Sequence, residues 1–180
     1  MAHPLPIGTS VLAGPGMILM RPELAALIGS ICSGWAFVES SLGMFYGHLM
    51  GVYLEISPGY EPPSHPVAHQ IFDEIHTIQS RIQLVEKLAD WVKDEPQKID
   101  ILKVLKKLKR AAQCRNKVAH GVWGVCESEP KALILLQTFG HKLIYKKADF
   151  DLILEQIKTA NRDLGLVHHA FYQGRKKKLS

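Results

Sequence analysis

Little in this sequence supports a covalent or metal-built scaffold. Cysteine occurs three times in 180 residues, at Cys32, Cys114 and Cys126, with no C-x-x-C spacing. That excludes a disulfide framework and a thiolate zinc site, and it fits a reducing, cytoplasmic compartment. The three thiols read as small buried side chains. The sequence has no H-E-x-x-H string and no internal repeat. No Lys or Arg precedes Arg21, and Pro4, Pro6, Gly8, Gly14, Pro15 and Gly16 interrupt the start. A secretory leader needs a basic start and an unbroken apolar core, so residues 1–21 read instead as an irregular arm.

Charge is scarce from Leu24 to Leu54, where Glu39 is the only formally charged side chain. The stretch is long enough to span a bilayer. A carboxylate at mid-span would cost about 2.5 to 3.5 kcal/mol on insertion scales, and the flanks carry almost no Lys or Arg to set an orientation. The segment therefore reads as a core helix, with no membrane partner. Acid is scarce elsewhere: Ile101 to Cys126 holds seven basic residues and no Asp or Glu.

What is present describes a globule. Hydrophobic residues make up 47% and charged residues 22%, with mean hydropathy +0.01, the composition of one domain with one core. The formal net charge is +5 and the pI is near 9.1, a moderate bias toward polyanions such as nucleic acid.

The apolar periods predict a mainly α chain: an antiparallel bundle of four to five helices with a small β-hairpin or meander before the last. Pro22 and Glu23 suit a first helical turn, and a 3.6-residue period runs from there to about Leu54. Gly43, Gly47 and Gly51 recur every fourth residue on its shoulder and suggest close helix packing, a dimer interface included. After a Pro- and Gly-rich connection, Val67 to Asp94 reads as a second long helix. Pro96 breaks it, and a third runs from about Gln97 until Gly121 supplies a C-cap. Val122–Cys126, Ala132–Phe139 and Leu143–Tyr145 are short and β-prone. Asp149 or Asp151 caps a last helix that ends near Gly174. The bundle would then occupy 22–173, with a basic tail over 174–180.

Two charged residues break the pattern. With Ile101 at zero and about 100° per residue, Leu105, Leu108, Ala112 and Ala119 form a stripe within about 40° of zero. Lys103, Lys106, Lys107, Arg110 and Lys117 lie on the opposite side, as a solvated face would, and Lys109 sits on a shoulder. Arg115 falls inside the stripe at about −40°, with Asn116 near +60° and His120 near +100°. In the first helix, Ile28, Ile31, Cys32, Trp35, Leu42, Tyr46, Leu49 and Tyr53 share a stripe with Glu39 in its middle. A buried carboxylate must be paired or protonated, which predicts Arg115 as its neighbour. Such a pair serves equally to fix helix register.

The string Arg115-Asn116-Lys117-Val118-Ala119-His120-Gly121 resembles the R-N-x-x-x-H signature of the HEPN superfamily, helical bundles that carry the motif at the end of a late helix. The likeness extends to layout: two long helices ahead of the motif, Trp35 and Glu39 in a W-x-x-x-E segment, a β insertion after it and a closing helix. It covers residues 23 to 173. The resemblance implies a metal-independent, cofactor-free endoribonuclease that works as a homodimer, the two motifs facing each other across a cleft. By that reading His120 is general base or acid, Arg115 stabilises charge on the attacked phosphate, Asn116 orients the imidazole or contacts phosphate, and Glu39 holds Arg115. The dipole at the helix end favours the imidazolium and hence the acid role. The expected product is a 2′,3′-cyclic phosphate. Lys109, Arg110 and Lys117 are the candidate RNA-binding side chains. Family habit further implies a toxin or defence component with a separate antitoxin protein as partner.

Two other readings stay open. One is a HEPN-like module that dimerises or binds nucleotide or RNA without cutting. The other places a metal on His65, His69, Asp73 and His76, which would share one face of the second helix; a polar helix face accounts for the same four residues. His141, His168 and His169 suggest no partner. Trp123 reads as packing the β insertion rather than stacking a base.

Overall fold

The structure is a computed structural model that describes residues 2–53 and 66–179. The described residues form β1 (His3–Pro4), β2 (Leu12–Ala13), α1 (Pro22–Tyr53), α2 (Pro66–Asp73), α3 (Ile78–Ala89), α4 (Glu95–Ala119), β3 (Val122–Val125), β4 (Leu133–Leu136), β5 (Lys142–Tyr145) and α5 (Lys147–Leu179). The chain is mainly helical, with a small antiparallel sheet ahead of the last helix, as its periods imply. It divides into two compact units, one from Met1–Trp35 and Gln113–Ile157, the other from Ala36–Ala112 and Lys158–Ser180.

The first unit holds the sheet, in the order β1-β5-β4-β3-β2 with every pair antiparallel. The three strands expected from sequence are its centre. The N-terminal arm is not irregular throughout: it supplies both edge strands, His3–Pro4 beside β5 and Leu12–Ala13 beside β3. Two-residue strands give no readable alternation, and Pro4, which donates nothing to a ladder, suits an edge. Leu133, Ile134 and Leu135 are buried in succession along β4, so both faces of the sheet are covered there. Ile134 and Ile144 join Leu5, Cys126 and Ala132 in one apolar cluster. Trp123, Tyr145 and Phe150 form another, with ring centroids 5.2 to 5.6 Å apart.

Helix α5 begins two residues before the predicted cap. Asp149 lies inside its first turn, where Oδ2 accepts from the Lys146 backbone N–H at 3.0 Å, the returning half of a capping box. The helix also continues past Gly174, its predicted end, to Leu179.

The second unit is helical. Lys107 meets Asp163 at 2.6 Å and Gln97 approaches Gly174, so α4 and α5 run antiparallel. Lys109 with Glu86 and Lys98 with Asp90 set α3 antiparallel to α4 in the same way. A Cβ on Gly43 would lie 3.4 Å from the Phe72 ring, so one rung of the glycine ladder is where α1 and α2 pack closely. Pro96 does not separate helices but sits in the first turn of α4, whose Gln97 N–H is capped by Asp94 Oδ1 at 3.0 Å.

The single helix expected over Val67 to Asp94 is two. Helix α2 stops at Asp73, and α3 restarts behind Thr77, whose extended backbone and hydroxyl cap the Ser80 N–H. Arg81 holds the break: its Nε donates to the Ile75 carbonyl at 2.8 Å and its Nη2 to the Asp73 carbonyl at 3.2 Å. Ile71, placed on the apolar face of one long helix, is half exposed in consequence. Among the thiols, Cys126 is buried, whereas Cys32 and Cys114 are only partly covered.

Candidate active site

Helix α4 carries most of its apolar stripe as drawn from sequence: Ile101, Leu105, Leu108 and Ala112 are buried, together with Val104, Ala111 and Val118, whereas Ala119 is only partly covered. The last turn is fixed by the first turn of the β insertion. Trp123 is buried and its indole N–H donates to the Val118 carbonyl at 3.1 Å, filling an acceptor that the helix end leaves without an internal partner. Gly121 is not the left-handed cap that its position suggests, because it has no positive φ. It is glycine for want of room: a Cβ there would lie 2.3 Å from Leu135 Cδ1 and 2.5 Å from the Lys117 carbonyl oxygen. The helix end and β4 close upon it.

That turn presents three polar side chains together. Arg115 is partly buried, with Nε covered and without a hydrogen-bond partner among the described residues. Its Nη1 emerges at the surface, donating to Asn116 Oδ1 at 3.1 Å and lying 3.4 Å from His120 Nε2. Asn116 and His120 are exposed, and the His120 N–H continues the helix by bonding the Asn116 carbonyl at 3.0 Å. The inward bearing of Arg115 thus holds for the root of its guanidinium, and its tip joins the surface group.

No family model, no curated protein and no solved structure matches this chain. What the arrangement can do follows from its chemistry. Arginine has donors only, so the Arg115 contact directs a lone pair of His120 Nε2 toward it and leaves the ring proton on Nδ1. That same Nε2 lone pair is the one acceptor of the imidazole, so a hydroxyl bound beside Arg115 would give its proton to Nε2 in place of the arginine contact. A guanidinium anchored beside it can hold a planar anion.

Glu39 has a different setting from the one predicted. Its carboxylate is a third exposed rather than sunk in the stripe, and its Oε2 lies 3.8 Å from Arg81 Nη1. Arg81 also lies over the Phe72 ring at 5.0 Å. Sequence reasoning missed this arginine because it sits on an ordinary helical face. The signal that was available is the Thr77-Ile78-Gln79-Ser80 cap just before it.

Of the predicted RNA contacts, Arg110 and Lys117 are exposed, but Lys109 is committed to Glu86 at 2.7 Å. Among the described residues no group of three or more His, Cys, Asp or Glu side chains is arranged to hold a metal ion. His69 lies on α2 and His76 beyond its end, while His65 lies outside the described residues. His168 does have a partner: its Nε2 contacts His48 Nδ1, on α1. Burial first, then His48 and His169, draws the His168 imidazole down from 6.5 to about 4.

Proposed function

We propose that this chain is a metal-independent endoribonuclease that acts as a homodimer through Arg115, Asn116 and His120. One observation carries the reading: Arg115 Nη1 touches both Asn116 Oδ1 and His120 Nε2, at 3.1 and 3.4 Å, on an accessible helix end. A general base, an anion-binding donor and an amide that orients it thereby converge.

In the reaction, His120 takes the proton from a ribose 2′-OH as that oxygen attacks the adjacent phosphorus. Arg115 stabilises the negative charge that builds on the phosphoryl oxygens, and Asn116 keeps the guanidinium turned toward them. The P–O5′ bond breaks, and the departing O5′ receives a proton from His120 of the partner subunit, leaving a 2′,3′-cyclic phosphate and a 5′-hydroxyl. A motif with one histidine supplies both base and acid in this way only as a pair, so monomers are inactive. Glu39, tied to Arg81, serves the helical packing. A toxin or defence enzyme restrained by a separate antitoxin protein suits a site so freely exposed.

The test is incubation of mixed RNA in EDTA with wild type and His120→Ala, with the solution mass of each recorded. Cutting by a dimer that ends in cyclic phosphate, and that falls roughly a hundredfold to ten-thousandfold in the variant, supports the reading. A stable dimer that binds RNA without cutting supports the non-catalytic module instead.

A further inference from the structure

In the helical unit, two imidazoles meet that the proposed reaction does not use. His48 on α1 and His168 on α5 face each other, His48 Nδ1 against His168 Nε2, with ring centroids 4.7 Å apart. The two lie 120 positions apart in the chain, so the fold and not the local sequence makes the pair. Other rings border it: Phe45 stands 5.4 Å from the His168 ring and Tyr172 stands 5.7 Å from the His48 ring. Both histidines are partly exposed, which leaves an ion a way in. Burial, then His48 and His169, disfavours charge on His168, and no carboxylate is among these influences. A neutral imidazole keeps a lone pair, the form in which histidine binds a metal.

We infer that His48 and His168 are a two-imidazole clamp for a late first-row transition-metal ion such as Zn²⁺, which ties α1 to α5 and completes its shell with water. The donor set decides the class of ion. Neutral imidazole nitrogens suit Zn²⁺, Ni²⁺ and Cu²⁺, whereas Mg²⁺ and Ca²⁺ take oxygen. With each nitrogen about 2.0 to 2.1 Å from the ion, the two ligand atoms stand about 3 to 4 Å apart when it is bound. Here they are in hydrogen-bond contact, so the rings part by a small side-chain rotation to admit it. In the metal-free pair one ring donates its N–H to the other. On binding, that proton passes through solvent to the far nitrogen of the same ring, so both facing lone pairs reach the ion and no net proton is released. Two protein ligands make an open site, fewer than the three of a catalytic zinc centre or the four of a structural one. The ion therefore exchanges with solvent. The cutting proposed for His120 does not need it, and the inference stands apart from that reading.

The experiment titrates Zn²⁺ alone into the whole, metal-stripped chain by calorimetry and follows the imidazole ¹⁵N resonances by NMR. The first equivalent is expected to shift His48 Nδ1 and His168 Nε2 together. His48→Gln and His168→Gln each weaken binding by about tenfold to a hundredfold or more, since even an outer-shell partner of a metal is worth that much. His169→Gln, one residue along on another bearing of α5, leaves the affinity unchanged. The wild-type spectrum locates the ion whether or not a variant folds. Shifts confined to other histidines, or an unperturbed pair in excess Zn²⁺, would overturn the clamp and leave His48 and His168 as a hydrogen-bonded pair only.

Discussion

At the scale of single residues, Gly121 and Trp123 decide how firmly the candidate site is held. A methyl group on Gly121 would meet the Lys117 carbonyl at 2.5 Å, and that atom is backbone and cannot swing aside. Gly121→Ala therefore destabilises the protein by about 1 to 3 kcal/mol, read as a lower urea midpoint. Its activity falls further than Trp123→Phe, because the displaced turn carries His120 itself. Trp123→Phe leaves the Val118 carbonyl without its indole donor and costs about 1 kcal/mol. Equal stability of wild type and Gly121→Ala would show that the helix end yields easily. Arg115 stood out in sequence by its helical angle, and Asn116 and His120 by the resemblance of the string that holds them to a known signature. The reason for Gly121 was not, since the Leu135 side chain that crowds it lies fourteen residues downstream in another strand.

At the scale of elements, the break between α2 and α3 and the meeting of α1 with α5 were the two features that periodicity could not reveal. An apolar period runs through both α2 and α3, so the wheel sees one helix where Thr77 and Arg81 make two. Arg81 closes two backbone carbonyls, lies over Phe72 and faces Glu39. Arg81→Ala costs about 2 to 3 kcal/mol by stranding those groups. Arg81→Lys recovers only part of this, because an ammonium cannot reproduce the planar fork; thermal unfolding of the pair checks both. The contact of His48 with His168 has its own signature. His168 titrates near 4 in the fold against 6.5 when free, so between those pH values the unfolded chain binds the extra proton. Stability then falls as the pH drops from 6.5 to 4, by on the order of 1 kcal/mol once its partial exposure is allowed for. Around the imidazole stand His48 and Phe45 from α1 and His169 from α5, while Phe171 meets Phe45 edge-on and Tyr172 faces His48. His168→Phe flattens that acid limb in urea titrations at successive pH values. An unchanged limb would place the sensitivity elsewhere.

At the scale of the whole molecule, most of the helical plan was readable because long amphipathic segments announce themselves, and α1, α4 and α5 were all placed by their apolar stripes. The sheet was read at its centre and missed at its edges. Strands of two residues in the N-terminal arm owe their existence to β3 and β5, which lie more than a hundred residues away. On α4 the basic residues behind the net +5 include Lys103, paired within the helix with Asp100, and Lys107 and Lys109, whose partners Asp163 on α5 and Glu86 on α3 no helical period could reveal. Helix α1 remains long and apolar enough to cross a membrane by length and composition, over Pro22–Gly51. Yet Trp35, Val38, Leu42, Phe45 and Leu49 along it are buried within the protein. Metal-independent RNA cutting at the end of α4, as proposed above, is read from the end-group chemistry of RNA incubated in EDTA with wild type and with His120→Ala. The expected result is 2′,3′-cyclic phosphate and 5′-hydroxyl ends from the wild type and a roughly hundredfold or greater loss in the variant. Cleavage that survives His120→Ala, or intact RNA with a folded wild-type dimer, would contradict it.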